Sequence, residues 1–268
     1  MSGGDAVLFE VSNRIATVTL NRPDNRNSMT QDVLAGLADA VAKLRADTSL
    51  RCAIVTGRGS SFCAGADFKS RGGPGQPSDS DAPPQAPHER SYATYAPFLS
   101  ILDVEIPVIA AMQGHAIGGG FGLALVCDLR VANREAKYGA NFVRLGLSPG
   151  MATTYLLPRL VGLPRALELL LTGRIVTGAE AAQLGLANDA VAAEAVLPRA
   201  RELAREIATA APNAVRWTKH LVYAGVGWDP RSAARIEAHY QSRTFESDDF
   251  REGVAALLGK REPKFEGR

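Results

Sequence analysis

The amino-acid sequence predicts a protein of the α/β class, in which strands and helices alternate along most of the chain. Short apolar runs at residues 52–56 and 107–112 are rich in β-branched or small residues and are typical of buried strands. The segments between them place apolar residues at helical spacing. Such alternation favours a sheet covered by helices.

The elements follow in order. Residues 8–11 and the alternating run 15–20 predict an antiparallel hairpin. An amphipathic helix follows, with Thr30 as its N-cap. The remaining expected elements are strands at 52–56, 107–112 and 129–132 and helices at 89–102, 119–127, 153–160, 164–171 and 179–184.

From residue 197 onward the pattern is almost wholly helical, with helices expected at 197–210, 212–223, 231–245 and 247–258. We therefore divide the chain into a core, residues 1–196, and an appended helical layer, residues 197–268. Between these elements, residues 70–87 are so rich in Pro, Gly, Ser and Asp that we predict a mobile loop.

The amino-acid composition limits the classes of function that the protein can have. The 268 residues contain 30 Lys and Arg against 28 Asp and Glu, a balance that favours neither nucleic acid nor a membrane as partner. Three cysteines without metal-binding spacing indicate reduced thiols and no metal site. The N-terminal residues lack a signal-peptide pattern, and no run of eighteen apolar residues occurs. We predict a cytoplasmic protein.

Two glycine-bearing segments follow predicted strands, at residues 61–69 and 114–122. Glycines at such positions let backbone N–H groups approach a ligand closely, and a helix that begins at the second segment favours negative charge there. Each segment alone could be a tight turn. A dinucleotide-binding fingerprint fits worse, because Leu123 or Leu125 stands where its third glycine belongs.

Taken together, these segments resemble the crotonase (enoyl-CoA hydratase/isomerase) superfamily, and the resemblance extends from about Phe9 to Phe265. Supporting matches include Asn21-Arg22-Pro23 with Asn27-Ser28-Met29, then Cys127-Asp128-Leu129-Arg130 and Leu171-Thr172-Gly173-Arg174. The resemblance implies a spiral of β-β-α turns with a C-terminal helical layer, assembled as a homotrimer or a dimer of trimers.

The resemblance also implies the site. A thioester oxygen would lie between the N–H groups of Ala66 and Gly119, an oxyanion hole for an enolate or tetrahedral intermediate. Contacts to coenzyme A would come from the Ala64 backbone, from Lys69 and from Lys264. Coenzyme A would be part of an acyl-CoA or enoyl-CoA substrate, with no tightly bound cofactor.

The sequence departs from the family at its catalytic carboxylates. Where hydratases carry two glutamates this chain has Gly122 and Phe142, and where isomerases carry a carboxylate it has Gly150. The catalytic base is therefore unknown. The candidate replacements lie on the helix after the loop: His88, Glu89, Tyr92 and Tyr95. We expect the acyl pocket to be apolar and to be lined by Tyr95, His115, Gly122, Phe142, Gly150 and Met151.

Three functions remain open. The first is enolate-type hydration or isomerisation of a CoA thioester with a non-standard base. The second is a non-catalytic acyl-CoA-binding protein that has lost its acids, a hypothesis that the changes at Gly122, Phe142 and Gly150 favour. The third is a serine hydrolase, which the absence of a G-x-S-x-G motif disfavours.

Overall fold

The structure is a computed structural model that describes residues 5–66 and 86–268. Its strands in these ranges are Val7–Ser12 (β1), Ile15–Leu20 (β2), Cys52–Gly57 (β3), Ser61–Cys63 (β4), Val108–Met112 (β5), His115–Ile117 (β6), Leu129–Asn133 (β7), Lys137–Gly139 (β8), Val176–Thr177 (β9) and Asp189–Val191 (β10). Its α-helices there are Gln31–Ala46 (α1), Pro87–Leu99 (α2), Gly119–Leu125 (α3), Thr153–Val161 (α4), Leu163–Thr172 (α5), Gly178–Gln183 (α6), Val196–Ala208 (α7), Pro212–Ala224 (α8), Pro230–Phe245 (α9) and Asp248–Leu258 (α10).

The strands form two sheets whose order follows the chain. The larger sheet runs β1-β2-β3-β5-β7-β10, and the smaller one runs β4-β6-β8-β9. The pairs β3/β4, β5/β6 and β7/β8 each contribute one strand to each sheet, and the strands that they contribute pair in parallel with one another. The pairs β1/β2 and β8/β9 are antiparallel. The chain therefore winds as a spiral, which confirms the predicted α/β class and its β-β-α turns.

Helices cover both faces of the larger sheet. Helix α1 buries Val33, Leu37 and Val41 in the main hydrophobic core. Helix α7 buries Val196, Ala200 and Ala204 against the opposite face, which presents apolar residues of β3, β5 and β7. The predicted boundary at residue 197 thus falls one residue inside a helix that covers the sheet, while the division into core and appended layer remains a prediction.

Asp128 ties helix α8 to the larger sheet. One carboxylate oxygen accepts hydrogen bonds from the backbone N–H of Val108, at 2.7 Å, and from Nζ of Lys219, at 2.7 Å. The other oxygen accepts from the hydroxyl of Tyr223 at 2.8 Å. Burial, followed by the charge of Asp128, raises the pKa of the Tyr223 phenol. This carboxylate fixes α8 against the start of β5.

The expected elements match the structure closely, but five short strands went unpredicted: β4, β6, β8, β9 and β10. Each has only two or three residues, too few to show the alternation by which a strand is recognised. The whole smaller sheet was therefore missed. It matters for function because β4 and β6 lie within the two glycine-bearing segments and pair with each other.

Two expectations around helix α2 were wrong in their bounds. The helix begins at Pro87, which we had assigned to the loop, because proline suits the first helical position. It ends at Leu99, and the chain continues as a 3-10 helix over Ser100–Asp103 rather than as the α-helix expected to 102. Most of the loop predicted at 70–87, namely residues 70–85, lies outside the described residues.

The cysteine thiols are all unpaired and buried. Burial raises the pKa of Cys52, Cys63 and Cys127 to about 12, so these thiols stay protonated and unreactive near neutral pH. Within residues 5–66 and 86–268, no helix is both long and apolar enough to cross a membrane.

Candidate active site

The two glycine-bearing segments touch each other. Gly65 adopts a left-handed backbone with φ of 82°. A Cβ placed on it would lie 2.6 Å from the carbonyl oxygen of Ile117 and 3.0 Å from the backbone nitrogen of Gly119. A Cβ on Gly120 would likewise overlap the carbonyl group of Cys63. Only glycines permit this approach, which places Ala66 beside the start of helix α3.

The backbone N–H groups of Ala66 and Gly119 meet at this junction without a partner in the described part of the chain. Among the described residues, nothing accepts a hydrogen bond from the N–H of Ala66 or from that of Gly119. Other N–H groups of the two segments are paired: that of Ala64 donates to the Arg26 carbonyl at 3.0 Å, and that of Gly118 donates to the Gly139 carbonyl at 2.8 Å. The N–H of the first residue of a helix is such an unpaired, or orphan, donor, because no carbonyl within the helix can accept from it. Both donors can therefore serve a ligand.

Met29 and Asn27 support these segments from beneath. The N–H of Met29 donates to the Gly65 carbonyl at 2.9 Å, and its sulfur occupies the space that a Cβ on Gly119 would need. The fully buried amide of Asn27 donates to the carbonyls of Arg58, at 3.0 Å, and of Ser61, at 2.8 Å. We had not assigned either residue a role; their only signal was the Asn27-Ser28-Met29 match.

The loop before helix α4 brings Gly150 and Met151 to helix α3. Met151 and Ala152 both have left-handed backbones, with φ of 59° and 54°, an uncommon arrangement for residues other than glycine. A Cβ on Gly122 would lie 2.5 Å from the Cβ of Met151. The buried Met151 side chain thus lies directly against Gly122, the position at which hydratases were expected to carry a glutamate.

Tyr95 and Phe142 also lie close to the glycines of these segments. The Tyr95 hydroxyl lies 2.6 Å from where a Cβ on Gly150 would be, and among the described residues it has no hydrogen-bond partner. The half-buried ring of Phe142 lies about 4.0 Å from a Cβ placed on Gly118. The structure therefore brings together five of the six residues expected around the acyl pocket; that they line such a pocket stays a prediction.

His115 is the exception and corrects our expectation. It is exposed at the start of β6, whereas the glycine-bearing segment meets helix α3 beyond the other end of that strand. Its Nδ1 accepts a hydrogen bond from the backbone N–H of Lys137 at 2.9 Å. The side chain helps to hold β6 against β8 and does not join the pocket.

The expected contacts to coenzyme A stay predictions. Lys69 lies outside the described residues. Lys264 is exposed on the C-terminal tail, where its backbone N–H donates to Glu252 at 2.8 Å. The hydrogen bond from Arg261 to the same carboxylate lowers the pKa of Glu252 to about 2, so the tail is held at helix α10 by a charged group.

Three of the candidate replacements for the missing base lie away from the pocket. His88, Glu89 and Tyr92 are exposed on the first turns of α2, and the Glu89 carboxylate caps that helix by accepting from the Ala86 N–H at 3.0 Å. Among the four candidates, the structure brings Tyr95 to the Gly150 loop.

Comparison with known proteins agrees with this architecture. Residues 10–268 match the family model described as enoyl-CoA hydratase/isomerase. The chain is 37% identical to (E)-benzylidenesuccinyl-CoA hydratase of Thauera aromatica, over 97% of this chain and 99% of that protein. It is 35% identical to crotonyl-CoA hydratase of Syntrophomonas wolfei, over 97% of each.

The solved structures agree as well. The crystal structure of enoyl-CoA hydratase from Bacillus anthracis matches with a TM-score of 0.89 and 30% identity, over 98% of this chain and 100% of that one. A match of this extent shows that the chain shares the fold of that structure. The chain belongs to the enoyl-CoA hydratase/isomerase family.

Proposed function

We propose that this protein is an enzyme that acts on a CoA thioester. The thioester oxygen accepts hydrogen bonds from the N–H groups of Ala66 and Gly119. These bonds stabilise the enolate that forms when a proton leaves the carbon next to the carbonyl, or when a nucleophile adds to a double bond conjugated with that carbonyl. The reaction is hydration or double-bond isomerisation with a non-standard base. Coenzyme A enters as part of the substrate, with no tightly bound cofactor.

One observation carries this proposal: the unpaired backbone donors of Ala66 and Gly119 lie on touching turns. In a site that excludes water, such donors stabilise developing negative charge without having to reorganise, and each is worth roughly 2.7–4 kcal/mol. Two relatives, a benzylidenesuccinyl-CoA hydratase and a crotonyl-CoA hydratase, support the substrate class.

The remaining contacts and the assembly belong to the same proposal. The Ala64 backbone, Lys69 and Lys264 bind coenzyme A. The helical layer makes the subunit contacts of a homotrimer or a dimer of trimers. The protein works in the cytoplasm, in fatty acid metabolism. Its partners are acyl-CoA or enoyl-CoA thioesters, and neither nucleic acid nor a membrane is among them.

Calorimetric titration with CoA, acetyl-CoA and a medium-chain enoyl-CoA tests the proposal, followed by mass spectrometry of each incubated thioester. We expect the thioesters to bind more tightly than free CoA, because only they offer a carbonyl oxygen to the two N–H groups. A change of mass or of double-bond position in the enoyl-CoA would establish the enzyme. If no thioester binds, the proposal is wrong.

A second candidate function is acyl-CoA binding without catalysis. The packing of Met151 against Gly122 favours it, because this side chain takes the place in which a glutamate would have to act. Loss of a general acid or base typically costs about 10²- to 10⁴-fold in rate. In this case the thioesters bind but emerge unchanged from the incubation.

Restoring the carboxylates separates the two functions. Gly122→Glu with Phe142→Glu would rebuild the pair, but a Cβ on Gly122 lies 2.5 Å from the Met151 Cβ, so Met151→Gly must accompany it. The control carries Gln at both positions with the same Met151→Gly change. If only the glutamate variant hydrates crotonyl-CoA and the wild type leaves every thioester unchanged, the natural protein is a binder for that class.

A further inference from the structure

Gly150 stands where isomerases of this family were expected to carry a carboxylate, and the space its side chain would fill holds a different polar group. The Tyr95 hydroxyl lies 2.6 Å from a Cβ placed on Gly150, and the Tyr95 ring carbon Cζ lies 2.8 Å from it. The phenol of helix α2 therefore occupies the space into which a side chain at position 150 would extend.

The surroundings of this hydroxyl leave it available to a ligand. Within the described part of the chain it has no hydrogen-bond partner, although the side chain is half-buried and packs against the main core. A hydroxyl held by packing but unused by the protein can donate to or accept from a bound molecule. Helix α2 fixes its position, because Phe98, one turn further on, is fully buried.

A short series of contacts connects the hydroxyl with the residues that carry the two donors. Gly150 is bonded to Met151, Met151 packs against Gly122, and Gly122 lies one turn along helix α3 from Gly119. An acyl chain whose carbonyl oxygen met the N–H of Gly119 would thus extend past Met151 toward Tyr95. The neighbouring groups along this path are the apolar side chains of Met151 and Phe142.

We propose that Tyr95 is a catalytic residue that moves the proton at the carbon next to the thioester carbonyl. This inference rests on the proposed function. In one direction Tyr95, having first given its phenolic proton to water, acts as the base: the carbon–hydrogen bond breaks, its electron pair enters the enolate, and the phenolate oxygen takes the proton. In the other direction the phenol returns its proton to that carbon, and the thioester carbonyl re-forms. Water exchanges the phenolic proton between these steps.

Deuterium exchange isolates this step from hydration. Butanoyl-CoA, which has no double bond, is incubated with the full-length protein in D₂O, and its mass is followed with time. We expect wild-type protein to introduce deuterium next to the carbonyl. Tyr95→Phe should slow this exchange at least about 100-fold, as expected on loss of a general acid or base, while the affinity for butanoyl-CoA changes less than about tenfold.

Two further variants sharpen the test. Tyr92→Phe removes a hydroxyl from the same helix, where the side chain is 63% exposed, and should exchange like the wild type. Gly150→Ala keeps Tyr95 but forces its ring aside, because the new Cβ lies 2.6 Å from the hydroxyl, and should slow exchange as well.

The outcomes distinguish this inference from the proposal on which it rests. If butanoyl-CoA does not bind, the proposed function fails. If it binds and the wild type exchanges deuterium no faster than Tyr95→Phe, Tyr95 does not move this proton, whatever the function of the site.

Discussion

Removing the N–H of Gly119 should lower the rate of thioester chemistry about 100- to 1,000-fold, the range measured for loss of one oxyanion-hole donor. Proline removes this donor and suits the first position of a helix, which Gly119 occupies. A side chain here would meet the Met29 sulfur, so the variant is Gly119→Pro with Met29→Ala. The rate of deuterium exchange into butanoyl-CoA measures the effect.

The matched control is Gly119→Ala with Met29→Ala, which introduces the same Cβ and the same truncation but keeps the N–H. Thermal unfolding of both double variants shows whether the two glycine turns remain folded. A control that is as slow as the proline variant would attribute the loss to crowding at Gly119 and argue against an oxyanion hole there.

The long helices and strands could be predicted from the sequence because each is long enough to repeat its characteristic spacing of apolar residues several times. Helix α1 presents Val33, Leu37 and Val41 on one face, and its expected start after Thr30 matches the structure. The smaller sheet could not be predicted in this way. Its strands span two or three residues, and their pairing depends on the path of the spiral between them rather than on local preference.

The same distinction applies to the site. The two glycine-bearing segments were recognisable because glycine allows backbones to approach closely. Their contact with each other could not be predicted, because it depends on the tertiary structure. Tyr95 has helical spacing that could equally have indicated a core position. Its contact with Gly150 lies next to the left-handed backbone of Met151, and this conformation cannot be predicted from the presence of a methionine.

Helix α3 presents Gly119 at one end and is held at the other by Arg130. This buried guanidinium donates 2.6 Å hydrogen bonds to the carbonyls of Cys127 and Leu186. In the described part of the chain it forms no ion pair, and burial lowers its pKa. Carbonyl oxygens near the end of α3 therefore balance the charge of Arg130.

Arg130→Met should lower the free energy of unfolding by about 2–4 kcal/mol. Each buried carbonyl left without a donor costs about 1–3 kcal/mol, and the relief of removing a buried charge offsets part of that sum. Methionine keeps the length of the side chain without its donors. Urea unfolding at several protein concentrations measures the change and separates it from any effect of subunit dissociation.

Arg134→Met is the control, because Arg134 is exposed just beyond the same strand and should change stability by no more than about 0.5 kcal/mol. Equal stability of the two variants would mean that water or a shift of α3 satisfies the carbonyls that Arg130 serves. If instead Arg130→Met is destabilised and also exchanges deuterium more slowly at a denaturant concentration where it remains folded, the anchoring of α3 at its C-terminal end positions the N–H of Gly119.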